Sequence, residues 1–253
     1  MTVAQAHWSE DAAIPRALGS AQVLDIWEMR RGATMIHRVL ALLDASLPDI
    51  NGDTIAALPI GTRDRLLLRL RAACFGPSLE CLSSCPDCEE AVEFSLTIAD
   101  LLATMGADTR REGTVAVEGC EIRMRPVTSR DLLGLEGSRP DDMAIRLLRR
   151  CATGLDDPET GLSAEAAARL SEVLAELDPG ADIRLSLTCP ACDNTWTSAF
   201  DIASYLWAEI EMAARRLLPE VHVLANSYGW SEEEILALSP ARRQSYLALI
   251  GAR

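Results

Sequence analysis

Cys85-Pro86-Asp87-Cys88 and Cys189-Pro190-Ala191-Cys192 are two versions of one short segment, and the fold turns on whether they meet. Each follows a stretch of strand character. After nine intervening residues each also leads into the same dipeptide at an apolar helix start, Ile98-Ala99 and Ile202-Ala203. Two thiolates two residues apart on a tight turn can reach one metal ion. Two such turns complete the tetrahedral set of four sulfurs that zinc favours. Cys85, Cys88, Cys189 and Cys192 are therefore the expected metal ligands, and structural zinc is the expected cofactor.

A shell of four sulfurs leaves no position for water or substrate, so such a metal stabilises the fold rather than catalyses. Two other readings of the cysteines stand beside this one: a redox dithiol, and buried thiols without a ligand. The duplication weighs against redox chemistry, as does the lack of a thioredoxin-type strand and helix arrangement around either copy. Cys81, four residues before Cys85, is the alternative fourth ligand. Cys74, Cys81, Cys120 and Cys151 read as ordinary small hydrophobic residues.

The 253 residues are 49% hydrophobic, enough for one substantial core or two modest ones. No run of eighteen apolar residues occurs, and the first thirty residues lack the basic start and apolar stretch of a signal peptide. A soluble, cytoplasmic protein is expected, with no membrane insertion. The net charge is -14, from 24 basic and 38 acidic side chains, and the chain contains no lysine. Nucleic acid would be repelled by that field. The missing lysine also removes a P-loop phosphate site and a pyridoxal Schiff base. Of the histidines, His7 lies in the N-terminal arm, His37 on an amphipathic helix and His222 in an apolar stretch, and each reads as a surface or packed residue. Asp141-Asp142 and Asp156-Asp157 read as caps and turns. No Gly-x-Ser-x-Gly or Gly-x-Gly-x-x-Gly occurs, and no catalytic residue is expected.

Working outward from the cysteine turns, Leu79–Ser83 with Ala91–Leu96, and Asp182–Leu187 with Asn194–Phe200, predict two hairpins with the cysteines at their tips. Thr114–Val117 and Glu121–Arg125 predict a third. Between the cysteine hairpins, Thr128 with Asp131, Ser138 with Asp141, and Ser163 open three helical segments. Upstream, one helix is expected from Ala21 to Ala45, on the spacing of Ile26, Met29, Ala33, Ile36, Leu40 and Leu43. Another is expected from an N-cap at Thr62 to Cys74, with Leu66, Leu67, Leu70, Ala73 and Cys74 on one face. Downstream, Asp201 starts a helix through Leu218, Ser231 with Glu234 forms a capping box, and Ser239-Pro240 starts the last helix. Trp207, Tyr228 and Trp230 look like one aromatic cluster. The expected fold is α+β and mainly helical: a split four-cysteine zinc ribbon made of two hairpins, with a helical insertion between them and helical N- and C-terminal parts. Its divisions are an N-terminal arm and helix over 1–54, a split core over 55–200 and a C-terminal helical segment over 201–253.

Leu58-Pro59-Ile60-Gly61-Thr62-Arg63-Asp64-Arg65-Leu66-Leu67-Leu68, the two cysteine turns, and Glu220 to Glu232 with its sequel to Tyr246 give the chain a resemblance. It resembles the baseplate-type proteins of contractile phage tails and related bacterial contractile injection systems, over most of residues 55 to 250. The arm before residue 55 departs from the shared pattern. The resemblance implies a non-enzymatic role as a baseplate hub component or assembly factor, with baseplate or hub proteins as partners and incorporation into the assembled particle. The working surfaces on this reading are the helix from Thr62 to Cys74 and the C-terminal helices. The competing readings are a zinc-ribbon regulator or nucleic-acid-binding module, and a thiol oxidoreductase.

Overall fold

The computed structural model describes residues 13–105, 110, 112–117, 119–154 and 162–251. His7, Trp8 and Asp156-Asp157 lie outside the described residues. The chain begins with α1 (Ser20–Arg30), α2 (Met35–Ser46), α3 (Gly52–Ala56) and α4 (Ile60–Phe75). The hairpin β1 (Ser78–Ser84) and β2 (Ala91–Thr97) then leads into α5 (Ile98–Thr104). Next come β3 (Gly113–Val117) and β4 (Cys120–Met124), α6 (Ser129–Leu133), α7 (Pro140–Cys151), β5 (Ala152–Thr153) and α8 (Ala164–Leu177). A 3₁₀ turn (Pro179–Ala181) precedes the hairpin β6 (Arg184–Thr188) and β7 (Thr195–Ala199), and α9 (Ile202–Tyr228), α10 (Glu232–Leu236) and α11 (Pro240–Gly251) close the fold. The protein is mixed α+β and mainly helical, with three small antiparallel sheets among the described residues. The cysteine hairpins remain separate two-stranded sheets, and β5 adds a third strand to β3 and β4.

The two cysteine hairpins repeat as units. An offset of 104 carries Cys85 to Cys189, and also Thr97 to Asp201 and Ile98 to Ile202. Thr97 and Asp201 are the N-caps of α5 and α9, accepting from Asp100 N and from Ala203 and Ser204 N respectively. Helix α5 therefore follows β2 directly, and only Phe200 and Asp201 separate β7 from α9. This matches the strand, turn and helix order read from the sequence.

The main core joins α1, α2, α4, α5 and α9 around Leu42, Leu43, Leu66, Leu67, Leu70, Ile202, Leu206 and Ile210. A second, smaller core packs Val115, Ile122 and Met124 of the middle sheet against Leu148 of α7 and Leu170 of α8.

The helix expected over Ala21–Ala45 is two helices. Arg31 to Thr34 break it, and Met29 is 69% exposed rather than part of the buried stripe. The apolar period continues across the break because both helices face the same core, so periodicity alone hides the corner at Gly32. In α4 the expected N-cap Thr62 sits inside the first turn, behind Pro59. The Gly61 amide is satisfied from a distance by the Asp178 carboxylate, at 2.8 Å. Residues Gly61 to Leu68 are buried on every side, which rules out this stretch as a working surface, whereas Ala73 faces solvent.

Charges buried with α4 are paired, as interior charges must be. Arg63 meets Asp64 at 2.7 Å. Arg71 grips Glu209 of α9 through two contacts of 2.6 and 2.9 Å, and also donates to the carbonyls of Gly76 and Ser78. Arg71 thus ties α9 to the chain where α4 hands over to β1.

Thr128 with Asp131 and Ser231 with Glu234 form the expected capping boxes, and Ser163 caps α8. The second of the three insertion helices starts at Arg139 with Pro140 in its first turn, so Ser138 does not cap it. Helix α9 runs through Pro219 instead of stopping at Leu218. The proline is on the solvent side, where the carbonyl it leaves unbonded can meet water. Trp207 belongs to the main core under the Arg38 guanidinium, 4.6 Å from its ring. The aromatic cluster is instead Tyr228, Trp230 and Tyr246, with ring centroids 4.7 to 5.6 Å apart.

Candidate metal centre

Each cysteine pair is held by the same backbone turn. In the first, Cys85 N donates to Glu90 O at 2.9 Å and Glu89 N returns to Cys85 O at 3.0 Å. In the second, Cys189 N donates to Asn194 O at 2.9 Å and Asp193 N returns to Cys189 O at 3.0 Å. Both turns close through a non-glycine residue in left-handed backbone, Glu89 at φ 60 and Asp193 at φ 56. Such a conformation is uncommon outside glycine and is held here by the hydrogen bonds on either side. Two independent stretches of sequence thus adopt one knuckle.

The knuckles face each other. Cys85 Sγ lies 3.7 Å from Cys192 Sγ, and Cys88 Sγ lies 3.6 Å from Cys189 Sγ. All four Sγ atoms fall within 4.8 Å of one another. A tetrahedron of sulfurs about 2.3 Å from a central zinc has edges of about 3.8 Å, so these separations fit one ion. The first cysteine of each pair is buried, Cys85 at 1% and Cys189 at 0% exposure, while Cys88 and Cys192 form the outer rim. Val92 and Trp196 pack against the buried sulfurs. Ala191 N donates to Cys189 Sγ at 3.4 Å, and Asn194 Nδ2 reaches across from the second knuckle to Cys85 Sγ at 3.9 Å.

The electrostatics favour one thiolate over four. The backbone N–H of Cys88 is the main influence that lowers the Cys85 thiol, to about 6. Cys192 moves the other way, to about 12: the Asn194 N–H lowers it, but its hydrogen bond to Cys88, burial and the remaining cysteines outweigh that. Negative charge gathered on one sulfur resists ionisation of the next, and a divalent cation at the centre removes that conflict. Donor type, spacing and supporting N–H groups all fit a thiolate-loving metal. The four cysteines can hold a metal ion.

The other cysteines stay outside. Cys81 pairs with Phe94 in the hairpin and is not among the clustered sulfurs, which removes it as a fourth ligand. Cys74 accepts from Leu18 N at 3.4 Å, and burial pushes the Cys151 thiol up to about 11. Cys120 is exposed, unlike the packed residue expected. His37 sits 3.8 Å from Glu136 across the join of α2 and the insertion, and His222 is exposed on α9. Neither lies in a second cluster: among the described residues the four cysteines are the one group of metal-ligating side chains within mutual reach. Sequence reasoning did not find Asn194 and Trp196 as supports of the centre. Their signal was position, since both follow the second knuckle at the places where Glu90 and Val92 follow the first.

The protein is thus a mainly helical α+β fold in which two facing knuckles bring four cysteine sulfurs within reach of one metal ion. The sequence model of the family described as T4 bacteriophage base plate protein matches residues 28–178, more than half of the chain, and the chain belongs to that family. No curated protein and no solved structure matches it. Membership assigns a structural role in a phage baseplate, with other baseplate components as its neighbours. The match begins at residue 28, so part of the arm expected to depart from the family pattern lies within it. It includes the stretch Leu58 to Leu68 and the first knuckle, and ends before the second knuckle and the C-terminal stretch that also carried the resemblance. No helix among the described residues is long and apolar enough to cross a membrane.

Proposed function

We propose that this chain is a non-enzymatic structural or assembly component of the baseplate of a contractile, phage-tail-like injection system, clamped by one zinc ion on Cys85, Cys88, Cys189 and Cys192. The observation that carries the reading is the facing pair of knuckles, with sulfurs at 3.6 and 3.7 Å, in a chain of the baseplate family. A zinc with four cysteine ligands supplies no open coordination site, so its contribution is to folding. Because α5 and α9 leave their hairpins at the capped residues Thr97 and Asp201, fixing the knuckles fixes both helix starts. Helix α9 in turn carries α10 and α11, so the clamp orients the C-terminal end.

Elemental analysis of the purified protein tests the metal, with about one zinc per chain expected; folded protein free of metal would refute it. The assembly role is tested by co-purification with sheath, tube and baseplate proteins, where recovery of none of them counts against it. The division into 1–54, 55–200 and 201–253 is part of the same proposal.

A further inference from the structure

Two exposed faces of opposite chemistry lie outside both cores. Along α7, Arg139, Met143, Arg146 and Arg150 recur at spacings of four, three and four, which sets them in one line. All three arginines are exposed, and Met143 is 41% exposed. The line sits in a basic island. Residues 123–150 carry seven arginines against four acidic side chains, a balance of +3 in a chain of -14, so the remainder carries -17.

The second face is at the C-terminal end. Glu234 is occupied by its capping box with Ser231, which leaves Glu232 and Glu233 exposed in the first turn of α10. Beside them stand the half-buried Tyr228, Trp230 and Tyr246, and Leu249 on α11 is 59% exposed. Helix α7 packs on α6, α8 and β5, whereas α10 packs on α9 and α1. The two faces therefore belong to different parts of the molecule.

We infer that the α7 face of one molecule docks on the α10–α11 face of a second copy of this chain. Arg139 and Arg146 meet Glu232 and Glu233, while Met143, between them on the same line, covers the aromatic and leucine surface. Charge complementarity selects this occupant: a basic, partly apolar strip finds its opposite on the acidic, partly apolar end of an identical molecule. The contact is head to tail, so successive copies build a ring where the rotation closes and a filament where it does not. The inference goes beyond the baseplate role and does not depend on the metal.

The test is mass by light scattering on the full chain, from about 1 to about 100 μM. Wild type should grow in mass with concentration and fall back to monomer at about 0.5 M salt, where exposed charges are screened. Arg139→Glu with Arg146→Glu should be monomeric, as should Glu232→Arg with Glu233→Arg, each keeping the wild-type melting profile. Mixed together, the two variants offer opposite charges on both faces and should associate again. Monomeric wild type throughout, association that survives both reversals, or a mixture that stays monomeric would each overturn the inference. Salt-sensitive binding of duplex DNA to the α7 arginines, with no self-association, would assign the face to another partner and overturn it as well.

Discussion

The amide of Gly61 and the carboxylate of Asp178 meet at 2.8 Å although 117 positions separate them in the chain. This contact caps α4, the helix buried on every side over its first two turns, from a residue at the far end of the insertion. A side chain at 61 would strike the Asp178 carboxylate and the backbone of Gly180 at 2.9 Å. Glycine is required there by close approach. Asp178→Ala should lower stability by about 1–2 kcal/mol, the usual worth of a helix cap. Gly61→Ala should cost more, because backbone must move. Thermal melts of the two variants check the order.

On the proposed zinc clamp, removal of the metal should loosen the knuckles before it alters any other part. Structural zinc contributes on the order of 10 kcal/mol to small metal domains. Cys189→Ser, or treatment with a strong chelator, should therefore produce a large drop in melting temperature and a change in Trp196 emission. Cys120→Ser, at an exposed thiol outside the cluster, should do neither. Equal effects of the two substitutions would refute the clamp.

Burial is the largest influence on Asp64 and raises its carboxyl to about 6, against the opposing pull of Arg63. The folded state thus holds this proton more tightly than the unfolded chain. The resulting stability is fully present below the ordinary carboxylate range and is lost as pH rises through about 6. Wild type should gain stability relative to Asp64→Asn as pH falls from 7 toward 4. Parallel pH profiles would show that Asp64 does not titrate in this window.

Pro219 lies within the continuous helix α9 and cannot donate to the carbonyl of Arg215. An interior proline costs a helix about 3 kcal/mol, while its stiffness in the unfolded chain returns up to about 1 kcal/mol. Pro219→Ala should therefore raise stability by about 2–3 kcal/mol. A lower melting temperature would refute this reading of Pro219.

Much of the architecture was legible because its signals are local. The knuckle hairpins, the capping boxes at Thr128 and Ser231, and the cap at Ser163 depend on residues within a few positions of each other. The failures share the opposite cause. The helix from Thr62 to Cys74 was expected to present a working surface, yet Arg63, Asp64 and Arg65 are interior, because Asp64 pairs with Arg63 and other elements enclose the helix. Trp207 reads with Tyr228 and Trp230, but helix geometry places it against Arg38 of α2. Pro219 reads as a terminator, yet packing of α9 against α1, α2 and α4 carries the helix past it. In the candidate centre, the four sulfurs were named by spacing, whereas the support from Asn194 and Trp196 depends on how the second knuckle faces the first.

The order in which these parts are synthesised has a consequence for folding. The first knuckle leaves the ribosome 104 residues ahead of the second, a wait of about 5–20 s at ordinary elongation rates. Asp178, which completes α4, appears only shortly before Cys189. A nascent chain holding Cys85 and Cys88 alone has half a binding site and an uncapped central helix, exposed to chaperones and oxidants. Translation through residues 178 to 192 is the moment at which that vulnerability ends.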